Sequence, residues 1–252
     1  HNFSAGPSIL PEQVLQKASE SVLDLNQTGL SILEISHRST QFVKIINEAR
    51  TLTKEILNVP KDYEVLFLQG GASLQFYMSA LNISKSNGTG GYIDTGTWAT
   101  KAIKEGRKIG HTTIVASSKD KAYKYIPKNI ISKKTFDYLH FTSNNTIYGT
   151  QFHDFSELSK LANTHNAKLI CDMSSDIFSK KINIEQFDLI YAGAQKNIGP
   201  AGTTLVIIKN NILKQTSDIP TYLNYQTHID KASMFNTPPV FSIYVAMLTL
   251  QW

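Results

Sequence analysis

Five stretches of this chain carry residue types that could do chemistry. Lys196 lies in YAGAQKNIGPAG, a long cation among small residues directly after the apolar run DLIYAG. A lysine at the end of a buried strand can form a Schiff base with a carbonyl when desolvation or nearby cations lower its pKa. A surface turn that happens to carry a lysine would read the same way. Asp172 ends the run KLICD, between Cys171 and Met173. A carboxylate placed there is partly desolvated and needs a cationic or donor partner, although it could also cap a following helix. The segment QGGAS, Gln69 to Ser73, joins a strand-like run to a helix-like one. Its two glycines allow a tight turn and close approach to an anion, with helix-start N–H groups facing a phosphate. It is neither a Walker loop nor a GxGxxG fingerprint, and an ordinary glycine turn fits equally well. Trp98, in GTW, is either a core aromatic or a flat platform for a planar ligand. His37 and Arg38, in EISHRST, could hold a phosphate or carboxylate. Alternatively Arg38 pairs with a surface glutamate while His37 packs.

These residues need elements to position them. Apolar periodicity and end signals predict helices over EQVLQKASESVLDL, QFVKIINEARTLTKEILNV, LQFYMSALNI, TWATKAIKEGRKI and SELSKLANTHN. Between them, EVLFL, GYIDT, TTIVA, YLHFT, KLICD, DLIYAG and TTLVIIK are rich in β-branched and aromatic residues and read as strands buried on both faces. Strands alternating with helices predict an α/β fold: a mostly parallel central sheet of about seven strands flanked by helices. Such sheets build their sites beyond the carboxyl ends of the strands. Lys196, Asp172, Trp98 and the QGGAS loop each follow a different predicted strand.

Composition narrows the classes. At 252 residues, with 41% apolar and 18% charged residues, the chain can bury a substantial core. No apolar run approaches a bilayer's width, and the first residues lack a signal peptide's order, so no membrane partner and a cytoplasmic location are expected. A lone cysteine, Cys171, excludes an intrachain disulfide framework and a CxxC-type metal site. The net charge of +5 is scattered, with no basic run interleaved with aromatics, which argues against nucleic acid. Only Arg38, Arg50 and Arg107 supply guanidinium groups, so the position of each carries weight.

Pyridoxal phosphate needs a Schiff-base lysine, an acidic partner for its pyridinium nitrogen and a cradle for its phosphate; an aromatic face helps. Lys196, Asp172, Gly70 to Ser73 and Trp98 would supply all four from separate strand ends. The small residues around Lys196 would then let cofactor and backbone approach closely.

At this point the sequence resembles the phosphoserine aminotransferase family, among the pyridoxal-phosphate aminotransferases of fold type I. The likeness spans the chain through NFSAGPSILP, EISHRS, FLQGGASLQF, YIDTGTWA, NNTIYGTQF, CDMSSD, YAGAQKNIGPAG and SMFNTPP. The resemblance implies that Lys196 carries the cofactor and Asp172 pairs with its ring nitrogen. Trp98 stacks on the ring, Thr146 contacts its side, and Ala72, Ser73 and Gln195 hold the phosphate. Asn236 and Thr237 would reach the cofactor phosphate of a neighbouring subunit, which implies a homodimer. His37 and Arg38 match positions for the substrate's phosphate, and Ala5 lies at the substrate entrance with only its backbone to offer. The implied reaction moves an amino group between glutamate and 3-phosphohydroxypyruvate, with a phosphorylated threonine derivative of the vitamin B6 route as a further substrate of some bacterial members. Ser73 departs from members that carry an arginine there. The family continues into a smaller C-terminal domain beyond the point corresponding to VAMLTLQW. The expected organisation is an N-terminal segment, 1–15, and a cofactor-binding large domain, 16–252, which would bind cofactor but turn over poorly. A cysteine desulfurase would need a mobile thiol, which Cys171 within a buried strand does not suit. Another small-molecule aminotransferase of the same fold, and a non-catalytic binding or dimerisation module, are the remaining alternatives.

Overall fold

The computed structural model describes residues 1–213 and 218–252. Its centre is a seven-stranded sheet formed by β1 (Tyr63–Leu68), β2 (Thr89–Asp94), β3 (His111–Ser117), β4 (Tyr138–Thr142), β7 (Lys168–Asp172), β8 (Leu189–Gly193) and β9 (Thr204–Lys209). A short hairpin, β5 (Asn144–Asn145) and β6 (Thr150–Gln151), stands beyond the end of β4. The sheet order is β1-β9-β8-β7-β4-β2-β3, and β9 runs antiparallel to both neighbours while the other pairings are parallel.

Strand periodicity explains the layers. Alternate residues send Val65, Phe67, Leu139, Phe141, Leu169 and Cys171 into one apolar cluster, and Leu66, Leu68, Tyr138, Ile170, Leu189 and Tyr191 into the other. Both faces are therefore buried, which requires helices on both sides. The first cluster is covered by α1 (Glu12–Leu23), α2 (Thr40–Ile56), α5 (Ser156–Thr164) and α7 (Val240–Gln251), the second by α3 (Gly71–Ile83), α4 (Thr97–Gly106) and α6 (Tyr225–Asp230). Helix α2 shows the pattern plainly: Phe42, Ile45, Ile46, Ala49 and Thr53 are buried at helical spacing, and the Ser39 hydroxyl accepts from the Phe42 amide at 3.3 Å to start it.

Two expectations change. The run TTIVA forms β3, which lies at the sheet edge with Ile114 41% exposed, and so is not buried on both faces. The glycines after Lys196 also do more than admit a ligand. A β-carbon at Gly199 would come within 3.2 Å of the Ala246 backbone, so this glycine lets α7 pack against the turn.

The chain reverses direction across the sheet between β2 and β4: β2 leads outward to β3, whereas β4 leads the other way to β7. The crevice at such a reversal is where open α/β sheets bind ligands. Among the described residues, no helix is long and apolar enough to cross a membrane.

Candidate active site

Asp172 is the last residue of β7, 3% exposed, and lies in register with Thr142 at the end of β4 and Tyr191 on β8. Its Oδ1 accepts from the Ser174 amide at 3.0 Å and the Ser174 hydroxyl at 2.6 Å. Burial raises the carboxyl's pKa, while the Ser174 donors and the Lys196 cation act to lower it. Lys196 follows β8 in a turn. Burial lowers its amine from the ordinary lysine value, opposed by the negative charges of Asp172 and Asp176. The amine stands 5.4 Å from the centroid of Trp98 and 3.5 Å from Thr146 Oγ1.

A cavity of about 150 Å³ joins these groups. Its walls include Ala72, Ser73, Trp98, Asp172, Gln195 and Lys196. All of these were read from the sequence. Thr146 joins them through its contact with the lysine, at the turn of the β5–β6 hairpin. At the cavity's other side α3 begins after Gly70, whose φ of 88° favours glycine, and no side chain caps the helix. Leu74 donates to the Gly70 carbonyl, whereas the amides of Gly71, Ala72 and Ser73 find no acceptor among the described residues. Open amides at a helix start form an anion site.

The N-terminal segment closes against the lysine turn. The Ser8 amide donates to the Gln195 carbonyl at 3.0 Å and the Ser8 hydroxyl donates to the Lys196 carbonyl. Gly6 leaves room for the lysine stem, since a β-carbon there would lie 2.7 Å from Lys196 Cγ. An apolar groove of about 630 Å³ opens on the same side of Lys196, between Ile9, Leu10, Ile56, Phe178 and Trp252.

Other predicted residues stand elsewhere in the chain. His37 and Arg38 precede α2 and contact each other, Nε to Nε2 at 3.4 Å, without lining the Lys196 cavity. Asn236 and Thr237 are exposed between α6 and α7, outside that cavity, with the Thr237 carbonyl accepting from Gln69 Nε2 at 2.7 Å. Cys171 is fully buried on the opposite face of β7 and its thiol pKa is pushed well up by desolvation, an environment for an inert thiol.

Sequence reading missed a supporting layer. Asp176, 5% exposed, accepts from the Ser143 hydroxyl at 2.5 Å and from Gln151 Nε2 at 3.1 Å. The Ser143 hydroxyl also reaches the Asp172 carbonyl, and Asn144 Nδ2 donates to Ser175 Oγ, both at 3.0 Å. The turn after β7 thereby grips the hairpin that carries Thr146. Thr142 was missed as well; it lies at the end of β4, beside Asp172, only through the β4–β7 pairing.

Comparison with known proteins decides the family. The aminotransferase class-V profile matches residues 1–252. A phosphoserine aminotransferase of Flavobacterium johnsoniae is 56% identical over 254 residues, covering all of this chain and 69% of the relative. The chain belongs to the phosphoserine aminotransferase family, within the class-V aminotransferases. A solved phosphoserine aminotransferase, one studied for radiation damage of its Schiff base, superposes with a TM-score of 0.94 at 46% identity, over the whole of this chain and 69% of that one. The pyridoxal-phosphate-bound enzyme of Trichomonas vaginalis superposes with a TM-score of 0.90 at 31% identity, over the whole of this chain and 70% of that one. The architecture is thus that of fold type I aminotransferases.

The cavity's own chemistry fits a pyridoxal phosphate. The uncapped start of α3, the buried Asp172 carboxylate and the Lys196 amine share one cavity wall, the donor set that the group's phosphate, ring nitrogen and carbonyl require. Among the described residues, Trp98 Nε1 and Thr142 Oγ1 are buried there without hydrogen-bond partners, as cavity walls prepared for a polar ligand would be.

Proposed function

We propose that this cavity is the cofactor site of a phosphoserine aminotransferase that moves an amino group between glutamate and 3-phosphohydroxypyruvate, in the cytoplasm. The observation that supports this reading most is the meeting of Lys196, Asp172, Trp98 and the uncapped start of α3 around one small cavity. Bound pyridoxal phosphate supplies an electrophilic carbonyl carbon and a ring that draws off electron density.

The protein's residues do the rest. The Ala72 and Ser73 amides, with the Gln195 side chain, hold the phosphate and fix one end. Asp172 holds a proton at the ring nitrogen; as a buried carboxylate it gains most from a cationic partner there. Trp98 covers one ring face and excludes water, while Thr146 orients the amine side. Lys196, its amine pKa lowered by burial, would engage the cofactor's carbonyl carbon, be released when the substrate's amine takes its place there, and as the freed amine move the proton at the substrate's α-carbon.

His37 and Arg38 serve the substrate's phosphate, the Arg38 guanidinium giving the bidentate grip. Because they stand outside this chain's Lys196 cavity, as do Asn236 and Thr237, a homodimer with shared sites is part of the proposal. Residues 1–15 form the segment at the substrate entrance and the remainder forms the large domain.

The test is spectroscopic and needs no complete turnover. The purified protein mixed with pyridoxal phosphate should gain a visible absorbance band that glutamate bleaches and Lys196→Ala abolishes. A band unchanged in Lys196→Ala would overturn the assignment.

A further inference from the structure

The segment that carries Asn236 and Thr237 is pinned at both ends and exposed between them. Ser233 and Pro238 are buried, whereas Phe235, Asn236 and Thr237 are exposed. The segment lies along β1, the edge strand of the sheet: Ser233 Oγ accepts from the Phe67 amide at 2.9 Å, and the Thr237 carbonyl accepts from Gln69 Nε2. Ala232 and Ser233 hold φ values of 47° and 69°, a conformation that non-glycine residues keep only where surrounding contacts enforce it.

His228 supplies the contacts behind this turn. Its carbonyl accepts from the Ser233 amide at 2.9 Å, and its ring meets Phe235 edge to face with 6.2 Å between centroids. The residue is 4% exposed. Its Nε2 stands 2.7 Å from the Tyr222 carbonyl, which can only accept, so Nε2 carries the ring proton. Burial lowers the ring's pKa, against the Tyr222 carbonyl, which raises it. In the neutral ring Nδ1 is a bare acceptor, and among the described residues it has no hydrogen-bond partner. The Ser233 hydroxyl accepts from Phe67 and keeps its own proton to donate. Both side chains line a cavity of about 10 Å³ closed by Gln69, Asn236 and Pro238. A cavity of that size takes about one water, which needs roughly two to four polar partners.

We propose that His228 is a positioning residue for the Asn236–Thr237 segment, acting through one buried water that accepts from Ser233 Oγ and donates to His228 Nδ1. This assignment rests on the reading that Asn236 and Thr237 reach the cofactor phosphate of a neighbouring subunit. The water and the ring then fix the inner side of the segment, so that its exposed side meets the phosphate already ordered.

The experiment measures binding of pyridoxal phosphate and of pyridoxal, which has no phosphate, by equilibrium dialysis to wild type, His228→Gln, His228→Asn and Asn236→Ala. Glutamine keeps a donor for the Tyr222 carbonyl and removes the Nδ1 acceptor; asparagine keeps an acceptor near the Nδ1 position. Loss of one hydrogen bond behind the segment should weaken pyridoxal phosphate binding to His228→Gln by roughly three- to tenfold and leave pyridoxal unchanged. His228→Asn should stay close to wild type. A crystal structure of the wild-type protein should place one water within hydrogen-bond distance of both His228 Nδ1 and Ser233 Oγ. Equal affinity of His228→Gln and wild type for pyridoxal phosphate would overturn the assignment. So would an equal loss with pyridoxal, or a crystal structure with no water between those two atoms. Unchanged pyridoxal phosphate binding by Asn236→Ala would instead defeat the reading of the segment, and this assignment with it.

Discussion

Replacing Asp176 by alanine tests whether the turn after β7 holds the hairpin that carries Thr146. Asp176 is buried and receives two hydrogen bonds, from Ser143 at 2.5 Å and Gln151 at 3.1 Å. Bonds to a charged group contribute about 1.5–3 kcal/mol each, and removing the shared acceptor leaves two donors poorly satisfied. A loss of about 3 kcal/mol is expected, or roughly 6–12 °C in Tm for a chain of this size. Urea unfolding and calorimetry on the cofactor-free protein measure it. Asp176→Asn keeps an oxygen for Ser143 and should recover about half. Because Gln151 donates to Asp176, Gln151→Ala should cost much less in the Asp176→Ala background than in wild type. Asp176 also raises the pKa of the Lys196 amine. Its removal should therefore shift the amine's titration to lower pH, a change that a purely structural role would not produce. Unfolding of Asp176→Ala within about 0.5 kcal/mol of wild type, the size of an ordinary surface change, would refute the clamp.

His140 lies fully buried, its Nε2 2.7 Å from the Tyr191 hydroxyl, and desolvation lowers its pKa to about 3. The unfolded value is near 6.5, so the unfolded chain binds the extra proton first as pH falls. Stability from this group is complete above about 6.5 and is lost as pH falls toward 3, by up to ~1.4 kcal/mol per unit. Between pH 7 and 5 the difference between wild type and His140→Gln in urea should shrink by about 2 kcal/mol, and a constant difference would contradict the burial argument. Gly199→Ala should cost about 1–2 kcal/mol by crowding the Ala246 backbone while leaving cofactor affinity unchanged; weakened cofactor binding with normal stability would reverse that assignment.

Strand ends made much of the site legible. Asp172 and Lys196 each close an apolar run, and one topological rule sends both toward the same edge of a parallel sheet. The uncapped start of α3 was legible for the same reason, since QGGAS must turn from β1 into α3. Other features depend on facts that residue types do not carry. Thr142 becomes informative only once β4 and β7 are known to be neighbours in register, a pairing set by tertiary packing. The direction of β9 is invisible in TTLVIIK, because parallel and antiparallel buried strands share the same apolar pattern. The β5–β6 hairpin has two residues per strand and owes its shape to Asp176 and Ser175 rather than to its own propensity. Gly199 looked like a ligand-side glycine because the sequence does not show α7 lying behind it.

The central claim is that Lys196 is the amine that engages the cofactor. Treating the protein with pyridoxal phosphate, reducing it with borohydride and mapping the peptides by mass spectrometry tests this directly. The expected result is one stoichiometric adduct, on the peptide containing Lys196, and none at that site in Lys196→Ala. An adduct placed mainly on another lysine, such as Lys101 beside the Trp98 ring at 4.5 Å, would contradict it.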